Sequence, residues 1–237
     1  MDKKGVSIFI GVLVLLFALL YFFSVRMQEP KVSIDPDTQL PAFEIEQDDL
    51  IKGNPESQIV LMEYSDFQCP SCKSVYPFIS SLVEDFEDEM VFVYRHFPLP
   101  QFSNARLSAS AGEAAAIQGE FWAMHDMIFD GQENWSRLGR SSAEDVFVGY
   151  AEELGLDVSK FRSDLSSQVV REKIEKDRLS GVQLGVRGTP TFFLNGQVID
   201  LQSLTQTLES LIRDSVEIDV DDLESETDTE PDLEDEY

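Results

Sequence analysis

Cysteine is scarce in this chain: two residues in 237, at positions 69 and 72. That excludes a disulfide-stapled scaffold and a four-cysteine zinc site. Histidine is equally scarce, with only His96 and His125. A metal centre on the cysteine pair would need both of them. Basic residues number 18 against 45 acidic ones, a net charge of −27. A chain this acidic repels phosphate backbones, which argues against nucleic-acid binding. There is no internal repeat, no phosphate-cradling glycine loop and no nucleotide fingerprint, and the glycines near 181–188 lack the spacing for one. The composition is nevertheless 43% hydrophobic and 11% aromatic, enough to build a core.

Charge and apolar residues are unevenly spread. Residues 6–25 contain no charged side chain. Twenty residues at about 1.5 Å each span about 30 Å, the thickness of a bilayer's hydrocarbon core. No small-x-small cleavage site follows the run, so residues 1–26 read as an uncleaved membrane anchor, one transmembrane helix. Lys3 and Lys4 precede it and Arg26 and Lys31 follow, a weak charge bias. The short N-terminus ahead of a long domain suggests a single-pass cell-membrane protein with its domain extracytoplasmic. A lipoprotein is excluded, because no cysteine is available for a lipobox. Residues 27–44, with Pro30, Pro36 and Pro41, read as a stalk. Residues 214–237 hold 13 Asp/Glu and no Lys or Arg, leaving 45 − 13 = 32 acids against 18 bases in the rest. Self-repulsion predicts a disordered solubilising tail from 214; cation or partner binding is the alternative.

The middle of the chain alternates between the two periodicities of regular structure. Short β-branched and aromatic runs at 58–64, 90–96 and 191–194 read as strands. Asn195-Gly196 is a two-residue turn into a further strand at 197–200. Val75, Phe78, Ile79, Leu82, Val83 and Phe86 form the apolar stripe of a helix over 71–86. Further helices are expected at 104–118, 121–129, 143–154, 158–165, 168–184 and 201–213. The order β-α-β, helical block, β-β-α predicts an α/β domain over 45–213 with an all-helical insertion at about 100–184.

Cys69-Pro70-Ser71-Cys72 sits between the first expected strand and its helix. A thiol at a helix N-terminus faces free N–H groups and the positive end of the macrodipole, which favour the thiolate. Pro70 at the first helical position sacrifices no hydrogen bond. Cys72, one turn on, can close a small ring with Cys69 and should be the more buried sulfur. Half of a metal site, or a static structural disulfide, are the competing readings; so short a loop makes a poor staple. Gly188-Thr189-Pro190 precedes the strand at 191–194, where a proline costs no ladder bond.

The segment from Glu63 to Cys72, with Val186-Arg-Gly-Thr-Pro190-Thr-Phe-Phe-Leu-Asn-Gly196, resembles the DsbA-like branch of the thioredoxin superfamily, closest to its membrane-anchored extracytoplasmic disulfide oxidoreductases. The resemblance covers about 45–213 and implies a thioredoxin-like fold. It makes Cys69 the nucleophile, Cys72 the resolving thiol and Pro190 the cis-proline facing them. It makes Thr189 the residue whose backbone pairs with substrate. Glu63 becomes the buried acid that assists proton transfer, and a carboxyl on a buried strand has the raised pKa such a base needs; the other reading is an inert, half-exposed glutamate. The run Phe121 to Asp126 resembles the family's characteristic helix, in which His125, like His96, is structural. Pro-Ser between the cysteines departs from the Pro-His of the strongly oxidising member. Without that histidine the potential should be less oxidising.

These features lead us to expect a disulfide-introducing thiol oxidoreductase that needs no bound cofactor. It would act on reduced exported polypeptides and be reoxidised by a membrane quinone-linked thiol oxidase. A reductase or isomerase of the same fold, and a membrane-tethered acidic binding module without enzymatic activity, are the alternatives.

Overall fold

The computed structural model describes residues 44–226, with side chains described as far as Arg213. The expected anchor at 1–26, and all but the last residue of the expected stalk, lie outside the described residues. Among the described residues no helix is long and apolar enough to cross a membrane.

Five strands form one mixed sheet in the order β1-β3-β2-β4-β5. They are β1 (Leu50–Gly53), β2 (Val60–Ser65), β3 (Val91–His96), β4 (Thr191–Leu194) and β5 (Gln197–Ile199). β2 and β3 run parallel, as the helix between them requires; the other pairings are antiparallel. The helices are α1 (Pro70–Asp85), α2 (Ala105–Ala116), α3 (Phe121–Asp130), α4 (Gln132–Trp135), α5 (Arg140–Glu153), α6 (Val158–Asp164), α7 (Gln168–Gln183) and α8 (Leu201–Glu226).

The central strands are buried on both faces, which is why they read as unbroken apolar runs rather than alternating ones. The period-2 alternation of side chains sorts them into two layers. Leu61, Phe92, Tyr94, Phe192 and Leu194 belong to the larger core with α1 and the helical block. Met62, Tyr64, Val91, Val93 and Phe193 belong to the smaller core on the other face. Glu63 shares the parity of Leu61 and so faces the larger core.

α7 closes the second face of the sheet. Its approach is set by Gly181, where an added Cβ would lie 2.8 Å from the Phe97 ring and 2.9 Å from that of Tyr64. This helix, expected as the end of the insertion, is therefore also a layer of the sheet domain. Beneath it lies a buried ionic network. Arg95 donates to both carboxylate oxygens of Asp49 at 3.0 and 2.7 Å and to the Tyr64 hydroxyl at 3.1 Å. Lys173 of α7 reaches Asp177 at 2.5 Å and Asp49 at 3.8 Å. The network couples β3, α7 and the segment before β1.

Three features differ from the sequence expectation. β1 is an edge strand of four residues, Leu-Ile-Lys-Gly, too short to declare a period. α4, a single turn, is too short for the same reason. The last helix does not stop at Arg213 but continues to Glu226, into the segment expected to be a disordered tail. The sequence carries the reason: Leu208, Ile212, Val216, Val220 and Leu223 keep a spacing of four or three. That apolar period persists although the acid content is high.

Candidate active site

The site forms where β2 ends and α1 begins. Cys69 is the N-cap of α1, with extended backbone (φ −72°, ψ 123°), and Pro70 opens the helix. The preceding turn is built by Asp66. Its carboxylate accepts the Gln68 N–H at 2.8 Å and, through the other oxygen, the Leu99 N–H at 2.8 Å. Gln68 in turn accepts the Asn104 N–H at 2.6 Å. From α4, Gln132 donates to the carbonyls of Phe67 (2.7 Å) and Cys69 (3.1 Å). The cysteine turn is thus held on one side by the loop after β3 and on the other by the helical block.

Both cysteines are free thiols and both are buried, Cys69 at 5% exposure and Cys72 at 0%. Their chemistry is opposite. The Cys69 pKa falls from 9.0 to about 5. The largest cause is the hydrogen bond from Cys72, opposed by burial, with Thr189 and the N–H groups of Cys72 and Ser71 adding to the lowering. The Cys72 thiol is pushed far up, by burial first and then because its proton serves the Cys69 thiolate. The pair is therefore one thiolate and one thiol sharing a proton, the arrangement that a nucleophile and a resolving partner need.

The loop before β4 supplies the opposite wall. The Thr189–Pro190 peptide is cis, and the Cys69 sulfur lies 3.4 Å from the Thr189 carbonyl, to which it donates only as the protonated thiol. Thr189 Oγ1 is buried and makes no bond of full hydrogen-bond geometry. It nevertheless lowers the pKa of both sulfurs.

Glu63 lies behind the pair, 5% exposed, not half-exposed as its inert reading requires. Burial raises its pKa to about 7, against a smaller lowering by Ser65, and the Cys69 thiolate raises it further. Its charge also raises the Cys72 pKa, so the two are electrostatically coupled. A cavity of about 20 Å³ touches Glu63, lined also by Lys52, His125 and Asp126. That is room for about one water. Asp66 is a second buried acid beside the thiolate, raised to about 6 by burial.

The five residues expected at the site are thus gathered around one pair of sulfurs. The histidines are not. His125 is packed among the rings of Phe67, Tyr76, Tyr94, Phe121 and Trp122, with its Nδ1 2.8 Å from Asp126. Burial lowers its pKa. Among the described residues, the group with metal-ligand spacing is His96, Glu113 and Asp177, which includes neither cysteine. The Lys173 ammonium already sits against Asp177 at 2.5 Å. Sequence reasoning missed Asp66, Gln68 and Gln132. Only Asp66 had a local signal, an Asx turn two residues long before a helix.

Comparison with known proteins gives a consistent family. Residues 46–214 match the family model described as Thioredoxin. A thioredoxin-like oxidoreductase from Silicibacter pomeroyi DSS-3 superposes with a TM-score of 0.57 at 25% identity, over 71% of this chain and 94% of that one. α-DsbA1 of Wolbachia pipientis superposes at 0.62 with 20% identity (73% and 96% covered), and oxidised BdbD of Bacillus subtilis at 0.59 with 21% (69% and 92%). In sequence, a Na(+)/H(+) antiporter NhaA of Herminiimonas arsenicoxydans is 38% identical over 166 residues, 68% of this chain and 25% of that protein. The chain spans about a quarter of the length of the curated relatives it matches.

Proposed function

The chain belongs to the thioredoxin family, and on that premise we propose that it is a DsbA-like thiol-disulfide oxidoreductase that introduces disulfides into exported polypeptides. The observation that carries this reading is the split between the two thiols, Cys69 held near 5 and Cys72 far above its ordinary value. In the oxidising direction a substrate thiolate attacks Sγ of Cys69 in the Cys69–Cys72 disulfide. The bond breaks, Cys72 leaves and takes a proton, and a mixed disulfide forms. A second substrate thiolate then attacks that mixed disulfide at the substrate sulfur, and Cys69 leaves as the thiolate. Two substrate thiols are oxidised and two protein sulfurs are reduced. Glu63, with a pKa of about 7, is the base and acid that services Cys72 at neutral pH.

The form that the site stabilises supports the oxidising direction. At pH 7 a thiolate with a pKa of about 5 favours the reduced protein by about 2 pH units, roughly 2.7 kcal/mol. Thioredoxin's pKa of about 7 contributes only about 0.4 kcal/mol by the same arithmetic. The difference is equivalent to about 50 mV. That is a ceiling, since solvent at a mouth that must admit a polypeptide screens it. The chain should therefore lie above thioredoxin's roughly −270 mV and short of DsbA's roughly −120 mV. Equilibration with glutathione measures this. A potential at or below thioredoxin's would make the chain a reductase. A Cys69→Ser variant that still oxidises reduced RNase at the wild-type rate would remove the catalytic assignment altogether.

The setting belongs to the same proposal. The uncharged run at 6–25 would anchor the chain with its catalytic domain outside the cytoplasm. A quinone-linked thiol oxidase in the same membrane would draw off the electrons. Expressing the full chain and asking whether carbonate extraction leaves it in the membrane tests the anchor.

A further inference from the structure

Acidic residues outnumber basic ones 45 to 18 in this chain, yet four arginines converge on one groove next to the dithiol. The groove measures about 500 Å³, and its lining includes Phe97, Leu99, Arg106, Arg140, Arg178 and Arg187, with no Asp or Glu. Arg106 and Arg178 share Glu175, at 3.0 and 2.6 Å. Arg140 and Arg187 are exposed and form no ion pair with any described residue. The groove is fixed to the site at three points. Leu99 is pinned to Asp66, three residues before Cys69. The start of α2, which carries Arg106, is pinned to Gln68. Arg187 stands two residues before Thr189, whose carbonyl meets the Cys69 sulfur.

We propose that this groove binds an acidic stretch of the substrate polypeptide, with apolar residues interspersed, flanking the cysteine that reacts with Cys69. The proposal rests on the reading of Cys69 and Cys72 as the exchange site and adds a substrate class to it. The floor offers apolar rings, and the rim offers guanidiniums that match carboxylates in planar, two-pronged geometry. The protein's overall field opposes this preference. A net charge of −27 repels an acidic peptide at long range. An acidic preference can therefore come only from a local basic surface.

The test uses the full chain, oxidised with glutathione disulfide, and two single-cysteine peptides of equal length. Both carry the same aromatic residues; one carries Asp and the other Lys around the cysteine. Each rate of mixed-disulfide formation is divided by the rate of the same protein with 2-mercaptoethanol. The normalised rate should favour the acidic peptide about fivefold or more at low salt. It should approach parity near 1 M salt, where the Debye length shrinks to about 3 Å. Arg140→Glu combined with Arg187→Glu should reverse the order. Equal normalised rates, a preference for the Lys peptide in the unaltered chain, or an acidic preference that survives both reversals would overturn the proposal. In each of those cases the exchange site itself still stands. Failure to react with 2-mercaptoethanol at all would instead overturn the site and the groove together.

Discussion

Replacing Glu63 with glutamine should make the reduced protein more stable, and by an amount that depends on pH. Glutamine preserves the volume and removes the charge. The unfolded glutamate gives up its proton near 4.5, whereas the folded one keeps it until about 7. Between those values the native state binds more protons than the unfolded state, so wild-type stability falls as pH rises. The full cost is about 2.5 pH units, roughly 3.4 kcal/mol, and it is complete just above pH 7. Asp66, raised to about 6, gives a slope of the same sign, but it is present in both proteins and cancels in the difference. Urea unfolding of the reduced chain from pH 4 to pH 8 reads the effect. The two proteins should diverge between about 4.5 and 7, the variant ending about 3 kcal/mol more stable. Parallel curves across that range would mean that Glu63 is solvated or permanently paired, and it would lose its role as the proton carrier for Cys72. The same variant should exchange disulfides more slowly at pH 7, by about a hundredfold if proton transfer at Cys72 limits the reaction.

Other consequences follow from the same contacts. Cys72→Ala removes the largest cause of the low Cys69 pKa, so the thiolate absorbance midpoint should rise from near 5 toward 9; an unmoved midpoint would credit the helix terminus and Thr189 instead. Thiolate-dependent attack by reduced Cys69 should be flat between pH 6 and 8 and fall below about 5. A rate that climbs through pH 8 would contradict that pKa. Gly181→Ala should destabilise by about 1–3 kcal/mol in urea unfolding, because the added Cβ meets two aromatic rings rather than flexible chain ends. Arg95→Ala leaves Asp49 buried at 2% exposure without its bidentate partner. It should lose about 3–5 kcal/mol, and a loss below 1 kcal/mol would mean that Lys173 takes over the carboxylate.

What the sequence made legible, and what it did not, divides by the range of the forces involved. The strands at β2, β3 and β4 and the helix α1 were legible because burial on both faces, or on one stripe, imposes a period within a single segment. The chemistry of Cys69 was legible for a related reason. Its thiolate is favoured partly by the N–H groups of Ser71 and Cys72, two and three positions further along the chain, and those are local. The turn that aims it was not legible. Gln132 reaches the Phe67 and Cys69 carbonyls across more than sixty residues, and an isolated glutamine in a four-residue helix carries no pattern. The arginine groove was hidden in the same way. Its four basic residues come from α2, α5, α7 and the loop before β4, spread through a chain whose summed charge points the other way. Composition reports the far field, and a net −27 describes what a distant partner meets. A peptide seated in the proposed groove would meet Arg187 and Arg140 instead, and at contact distance the nearest charges outweigh the screened total. On this proposal, substrate choice in this chain is decided at the one scale that composition cannot report, where residues far apart in sequence are brought side by side beside a sulfur whose reactivity is set locally.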